Sequence, residues 1–269
     1  MDYRKEFVVA PGSKVHLARI DPSYTGRHSS HENAMPEIRN HLERMAKLQY
    51  LLYADAEQSL LVVLQALDAA GKDGVVRHLF SGLNPQGTSV YCFKQPSQLE
   101  LGHDFLWRAH LRAPSKGELV IFNRSHYEDV LVVRVHDLAP ESVWSKRYDM
   151  INDFERMLAG SGTRILKFYL HISPDEQLQR FKQRLDDPQR HWKISESDYS
   201  ERDRWPKYVE AYEAALTKCN TDVAPWHIIP ANHKWFRNLA VSRIIARTFE
   251  GFHSKYPKPS FDFSHYKLK

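Results

Sequence analysis

Apolar residues recur along this chain in two ways, at helical spacing in some stretches and without interruption in others. Ile38, Leu42, Met45 and Leu48 are three or four residues apart within residues 34–55, which predicts an amphipathic helix. Short runs of mostly apolar residues are instead typical of strands buried on both faces of a sheet. Strands are predicted in this way at residues 60–64, 88–93, 119–122, 164–172 and 226–229.

Helical stretches separate these strands. Helices are predicted directly after Gly71 and over residues 97–113, 140–158 and 174–184. The alternation is typical of parallel βαβ units, so we expect an α/β fold in three layers, with a roughly five-stranded parallel sheet between helices on both faces. Ligands of such folds bind at the carboxyl ends of the strands.

Three segments lie outside this alternation in a chain of 269 residues, which we expect to form one domain, residues 1–269. Residues 1–33 are rich in turn formers and are predicted to form an irregular arm with a short strand at residues 14–18. Residues 186–205 are polar and of mixed charge, which favours a helical lid over a ligand site; a solvated surface excursion is the alternative. Residues 256–269 are expected to form a C-terminal tail.

The most informative stretch is residues 65–74, Gln-Ala-Leu-Asp-Ala-Ala-Gly-Lys-Asp-Gly, which follows the first buried strand. A small-residue loop that ends in Gly-Lys before a helix is typical of a phosphate-binding loop. Its lysine, Lys72, would reach the terminal phosphates. The residues expected to bind phosphate or nucleotide in this loop are Ala69, Ala70, Gly71, Asp73 and Gly74.

The loop departs from the usual pattern, because Ala66 replaces its first glycine and Asp73 its metal-binding hydroxyl. A carboxylate beside a phosphate is unfavourable unless a divalent cation lies between them, so Asp68 is interpreted as a Mg²⁺ ligand. Alternatively, Asp68 only hydrogen-bonds the turn backbone and Asp73 only favours the first turn of the helix.

A second charged cluster follows the strand at residues 119–122. Arg124 and Arg134 have the fork geometry that binds phosphates through two hydrogen bonds, and Glu128 and Asp129 would hold Mg²⁺ or orient those arginines. A structural ion pair between Arg134 and Asp129 is the alternative. A transition-metal site is disfavoured, because near-adjacent residues seldom converge on one ion.

Composition constrains the class of ligand less strongly than the two motifs do. The net charge of +5 suits a nucleic acid, an acidic membrane surface or a polyanionic substrate, and charge alone does not choose among them. No apolar run approaches the ~20 residues that span a bilayer, and the first residues lack an apolar run before a small-residue cleavage site, so we expect a cytoplasmic protein that does not bind membranes.

Taken together, four segments resemble the polyphosphate kinase 2 family over about residues 35–250. They are residues 65–74, Phe-Asn-Arg-Ser-His-Tyr-Glu-Asp-Val-Leu at 122–131, Arg-Leu-Asp-Asp-Pro…Trp-Lys at 184–193 and Ala-Pro-Trp-His-Ile-Ile-Pro-Ala-Asn…Lys-Trp-Phe-Arg at 224–237. The resemblance implies a P-loop kinase fold, a homodimer or homotetramer, Mg²⁺ as cofactor, and phosphate transfer between inorganic polyphosphate and nucleotides.

The resemblance also assigns roles to individual residues. It implies that Asp68 and Lys72 act in the phosphate loop, that Arg124 belongs to a Walker-B-like motif, and that the lid brings Arg184 and Lys193 to the transferred phosphate. Asn123 and Glu128 replace the Asp and Asn of many members that mainly phosphorylate nucleoside diphosphates. This version is similar to the class III subgroup, which accepts both AMP and ADP, and it leaves Asp68 with Glu128 or Asp129 as metal ligands.

The expected activity is therefore transfer of the terminal phosphate of polyphosphate to AMP and ADP. Basic residues would hold the polyanion, and the candidates are Arg77, His78, Lys94 and Arg112. Trp192 is the best candidate for base stacking and Trp226 is expected in the core. The alternatives are an ATP-dependent nucleoside monophosphate kinase and a basic nucleic-acid-binding module; we do not expect nucleic acid as a partner.

Overall fold

The computed structural model describes residues 2–261, which contain one five-stranded sheet. Its strands are β1 (Ser59–Gln65), β2 (Thr88–Cys92), β3 (Leu119–Asn123), β4 (Thr163–His171) and β5 (Trp226–Pro230). All neighbouring strands are parallel, in the order β2-β3-β1-β4-β5. The predicted parallel sheet is confirmed. Every residue of β1 is buried, because this strand lies at the centre of the sheet.

Helices surround the sheet on both faces, as predicted. They are α1 (Tyr3–Glu6), α2 (His31–Asp55), α3 (Lys72–Phe80), α4 (Gln98–Leu101), α5 (Trp107–His110), α6 (Val132–Val135), α7 (Glu141–Trp144), α8 (Arg147–Gly160), α9 (Pro174–Leu185), α10 (Glu196–Asp203), α11 (Trp205–Lys218) and α12 (Lys234–Glu250). Helices α2, α3 and α12 pack together, whereas α8 packs on β4 and contacts α11. Because crossovers between parallel strands are right-handed as a rule, the β1–β2 and β3–β4 connections, which run in opposite directions along the sheet, lie on opposite faces.

The strand order determines where the two predicted site segments lie. Leu64 near the end of β1 is paired with Asn123 at the end of β3, so the segments that follow both strands emerge side by side. The loop before α3 and the charged cluster after β3 therefore share one edge of the sheet. This is the edge at which a ligand site is expected.

Three local predictions differ from the structure. Residues 97–113 form two short helices, because Asp104 accepts a hydrogen bond from the Leu106 N–H and starts a new turn. Residues 140–158 likewise divide into α7 and α8. No strand forms at residues 14–18. The Leu17 N–H there donates to the carboxylate of Glu213 on α11, and not to a neighbouring strand.

The N-terminal arm covers one edge of the sheet. Val8 forms an antiparallel bridge with His227, and the Val9 N–H donates to the Trp226 carbonyl at 2.8 Å. The arm thereby satisfies backbone groups that the edge strand β5 would otherwise leave open.

Trp226 itself is buried in the core, as predicted. Within residues 2–261 no helix has the length and apolar character that crossing a membrane requires. Residues 262–269 of the predicted tail lie outside the described residues.

Candidate active site

The predicted phosphate loop connects β1 to α3 in the expected strand, loop and helix arrangement. Gly71 has φ +100°, a conformation that side chains disfavour, and a Cβ there would collide with the guanidinium of Arg237. The first N–H groups of α3 have no partner within the helix and face the space above the loop. This geometry is suited to binding an anion.

Lys72 is folded back over this loop. Its ammonium donates to the Ala66 carbonyl at 2.8 Å. Burial lowers the pKa of Lys72, while the nearby Asp68 carboxylate opposes that shift. A bound phosphate would offer the ammonium a charged partner in place of the carbonyl.

Arg124 links the phosphate loop to the cluster after β3. Its guanidinium lies 3.2 Å from the Asp68 carboxylate and 3.7 Å from that of Glu128. Burial alone would lower the pKa of Arg124, but Glu128 and Asp68 outweigh it and raise the pKa. Asn123, one residue earlier, donates its amide N–H to Asp73 at 2.8 Å. The structure thus brings these predicted residues of both motifs together.

Glu128 is positioned directly by Gln65, which is in turn bonded by Tyr212; neither residue was predicted as a site residue. The side-chain amide of Gln65 donates to Glu128 at 3.0 Å, and the Tyr212 hydroxyl donates to the Gln65 carbonyl oxygen at 3.3 Å. Burial raises the pKa of Glu128, and Arg124 opposes the shift. A polar residue ending an otherwise apolar strand was the available signal for Gln65. Nothing comparable marks Tyr212, which lies about 150 residues away in the sequence and comes close only through the fold.

Asp129 and Arg134 lie apart from the loop. The carboxylate of Asp129 faces Arg147 at 3.2 Å and Arg108 at 3.7 Å. Burial raises the pKa of Asp129 to about 6, against the effect of these two arginines. Arg134 is paired with Glu210 at 3.7 Å and stacks on Trp144, so the alternative interpretation of an Arg134–Asp129 pair is wrong.

Two clefts meet above the loop. The first, called here the loop cleft, has a volume of ≈ 510 Å³, and residues of the phosphate loop form its floor. The second, the apolar cleft, has a volume of ≈ 490 Å³ and a largely aliphatic wall that includes Val132, Val133 and Leu138. The residues that line both are Phe93, Lys94, Gln95 and Arg124.

Of the four basic candidates for a polyanion groove, Lys94 is the one that lines these clefts. Arg77 is exposed on α3, and Arg112 stacks on Tyr91 at the outer side of β2. His78 is half-buried, and burial, followed by the charge of Arg237, lowers its pKa to about 4.

The lid predicted at residues 186–205 is largely helical and reaches the loop cleft. Arg184, Trp192 and Lys193 line this cleft, with the Lys193 ammonium 4.8 Å from the centre of the exposed Trp192 ring. The Arg184 guanidinium donates to the Lys193 carbonyl at 2.9 Å, so both cations are placed together. The segment is therefore a wall of the site and not only a solvated excursion.

Hydrogen bonds connect the lid to the phosphate loop. Arg202 on α10 donates to the Gln177 side-chain oxygen at 3.0 Å, and the Gln177 amide donates to the Asp68 carbonyl at 2.9 Å. Farther along, Glu201 accepts from Tyr208 at 2.7 Å and lies 2.9 Å from His136. Sequence reasoning missed Gln177, which looks like any polar residue of an amphipathic helix.

The residues present fit a Mg²⁺ ion that is completed by substrate. Among residues 2–261 no group of three His, Cys, Asp or Glu side chains could hold a metal. Mg²⁺, however, is commonly bound through one or two carboxylates plus substrate phosphates. Asp68 offers such a carboxylate at the floor of the loop cleft, whereas Asp129 is engaged by two arginines.

This combination of a parallel sheet, a phosphate loop, convergent cations and a lid defines the class of P-loop phosphotransferases. The chain belongs to the polyphosphate kinase 2 family, whose family model matches residues 28–257.

Individual relatives agree with this assignment. An AMP/ADP-polyphosphate phosphotransferase of Meiothermus ruber is 52% identical over 256 residues, covering 95% of this chain and 96% of the relative. An ADP-polyphosphate phosphotransferase of Rhodopseudomonas palustris is 44% identical, covering 94% and 92%. The crystal structure of polyphosphate kinase 2 from Arthrobacter aurescens TC1 superposes with a TM-score of 0.94 at 40% identity, covering 97% of this chain and 94% of the other.

Proposed function

We propose that this protein transfers the terminal phosphate of inorganic polyphosphate to AMP and to ADP, forming ADP and ATP reversibly. The observation that carries the proposal is the meeting of the loop cleft and the apolar cleft at Arg124. A polyanion suits the loop cleft, because Lys72, Lys94 and Lys193 line it. A nucleoside suits the apolar cleft, which combines an aliphatic wall with charged residues such as Arg124 and Glu128.

Both AMP and ADP are proposed as acceptors. Asn123 and Glu128 are the residues that resemble the subgroup with dual acceptors, and Glu128 lines the apolar cleft beside Arg124. The name of the 52% identical relative supports the same pair of acceptors.

In the proposed reaction, an oxygen of the acceptor phosphate attacks the terminal phosphorus of polyphosphate in line. The bridging P–O bond breaks, and its electron pair leaves with the shortened polyphosphate. Lys72 and Arg124 stabilise the charge on the transferring group, and the lid adds Arg184 and Lys193. No side chain forms a covalent bond, so catalysis consists of positioning and electrostatic stabilisation.

Mg²⁺ is the proposed cofactor, and Asp68 is the residue that would hold it, with Glu128 as the nearest further carboxylate across Arg124. When bound, Mg²⁺ would neutralise phosphate charge that Asp68 otherwise repels. An assembly of two or four subunits and a cytoplasmic location also stay predictions from the sequence.

The test is to incubate the protein with Mg²⁺, long-chain polyphosphate and either AMP or ADP, with no ATP, and to separate the nucleotides by chromatography. ADP and ATP should form from AMP. Asp68→Asn should lose at least ~100-fold in rate, whereas Asp153→Asn, at an exposed surface ion pair, should not. In a parallel incubation with ATP in place of polyphosphate, transfer to AMP from ATP but not from polyphosphate would favour the alternative kinase and overturn the proposal.

A further inference from the structure

Two buried arginines lie beneath the phosphate loop, on the side away from the loop cleft. They are Arg180 of α9 and Arg237 of α12, with 4% and 3% of their surface exposed. Neither contributes to the wall of the two clefts. Both come from parts of the chain more than 100 residues after the loop, so the fold has to bring them there.

Their hydrogen bonds orient the loop backbone. Arg180 donates to the Ala69 carbonyl at 2.9 Å and to the Ala70 carbonyl at 3.0 Å, and Arg237 donates to the Ala70 carbonyl at 3.1 Å. The peptide between Ala70 and Gly71 is trans, so its N–H points opposite to its carbonyl. With the carbonyl held inward, the Gly71 N–H is directed outward, to the side where a phosphate would bind.

The two arginines differ in how their charge is balanced. Arg180 lies 2.7 Å from the carboxylate of Glu176. The remaining nitrogens of Arg237 donate to the neutral side chain of Asn238, at 3.1 and 2.9 Å, and no carboxylate within residues 2–261 lies within 4.0 Å of it. Burial, followed by the charge of Arg180, lowers the pKa of Arg237 to about 9, which leaves it protonated at neutral pH.

The glycines of the loop admit this guanidinium. A Cβ at Gly71 would collide with it, and a Cβ at Gly74 would lie 3.0 Å from its terminal nitrogen. The positive charge therefore lies directly against the inner side of the loop. Burying a cation without a carboxylate costs stability, and such a cost commonly marks a functional residue.

We propose that Arg237 is a positioning residue that holds the Gly71 N–H toward the donor and supplies positive charge from beneath the loop. It thereby strengthens binding of the polyanionic donor without touching it. This inference rests on the proposed function, because it assigns the charge to polyphosphate binding.

The test compares Arg237→Gln and Arg237→Lys with Arg247→Gln, a control that removes an exposed arginine from the same helix. The KM for polyphosphate should rise about tenfold in Arg237→Gln, while kcat changes by less than about twofold, because the lost charge acts through the loop on binding. Arg237→Lys should recover most of the affinity. The melting temperature of substrate-free Arg237→Gln should not fall, because a buried unpaired charge is removed and the Ala70 carbonyl keeps its bond from Arg180.

A second readout separates this inference from the proposed function. Calorimetric binding of tripolyphosphate should weaken about tenfold in Arg237→Gln, whether or not the wild type turns over polyphosphate. Unchanged KM and unchanged tripolyphosphate binding in Arg237→Gln would overturn the inference. It would also be overturned by a lower melting temperature together with a loss of activity that Arg237→Lys does not restore, since that pattern indicates a purely structural residue.

Discussion

The phosphate loop and the lid both present groups to the same cleft, but they are held in opposite ways. The loop rests on buried groups, since Arg180 and Arg237 bind its carbonyls from below and Gln177 binds it from the side. The lid is polar and half-exposed, and Arg202 and Glu201 connect it to the body of the protein through side-chain hydrogen bonds. The fully buried bonds from Arg180 and Arg237 to the Ala70 carbonyl fix the loop, whereas the partly buried bonds of the lid break at lower cost. The difference indicates that the loop is preorganised and that the lid can open for substrate exchange.

If the loop is fixed and the lid is movable, the substitution with the largest effect on activity should lie in the loop. Lys72→Met removes the ammonium at the floor of the loop cleft, and we expect kcat to fall by at least ~100-fold. The melting temperature should change little, because the bond lost from the Ala66 carbonyl is offset by the removal of a buried ammonium. Steady-state rates with AMP and polyphosphate measure the effect. A fall of only a few fold would mean that the loop is not the centre of the chemistry.

An intermediate effect is expected where the loop is connected to the cluster after β3. Gln65→Leu leaves Glu128 without its amide donor and should lower kcat about tenfold, since a hydrogen bond to a charged group is lost. Gln58→Leu is a suitable control, because Gln58 precedes the same strand and donates to the Phe252 carbonyl far from the site. Equal losses in both variants would show that the effect is on folding and not on Glu128.

A smaller effect is expected at the lid. Arg202→Met removes the bond to Gln177, so the closed lid is less favoured and the KM for polyphosphate should rise by about threefold to fivefold. Arg156→Met, which breaks an exposed pair on α8, serves as the control. A loss as large as that of Lys72→Met would contradict the distinction between a fixed loop and a movable lid.

The smallest effect concerns pH. His78 has a folded-state pKa of about 4, below the ~6.5 of an unfolded chain, because burial and then Arg237 disfavour its charge. Its contribution to stability is therefore fully present above about pH 6.5 and is lost as the pH falls toward 4. Between pH 7 and pH 5, the melting temperature of His78→Gln should fall by about 2 °C less than that of the wild type. Identical losses would show that His78 is not buried in its neutral form.

Sequence predicted the framework well because the signals are local. Mostly apolar runs identify strands that are covered on both faces, and all five predicted strands begin within one residue of the observed start. Where a side chain stabilises a turn within the predicted helix, as Asp104 does, the predicted single helix was wrong.

The site residues likewise divide into those that a local sequence signal predicts and those that only the fold brings to the site. Asp68, Lys72, Asn123 and Arg124 lie at a strand end or within seven residues after it, so their common location could be predicted from the parallel sheet. Arg134 also follows that strand but turns away to Glu210, because a short helix rotates it out of the site. Arg237, on the last helix, reaches the loop only through tertiary packing, and no sequence pattern indicates that its charge lies under Gly71.

The central claim is that donor and acceptor occupy two separate clefts that meet at Arg124. A crystal structure with AMP, Mg²⁺ and a non-hydrolysable polyphosphate analogue tests this most directly. The account predicts the analogue in the loop cleft over Gly71 and Lys72, the adenosine in the apolar cleft beside Val132 and Val133, and Arg124 in contact with both. A nucleotide whose phosphates lie on the loop, with the apolar cleft left to solvent, would contradict it.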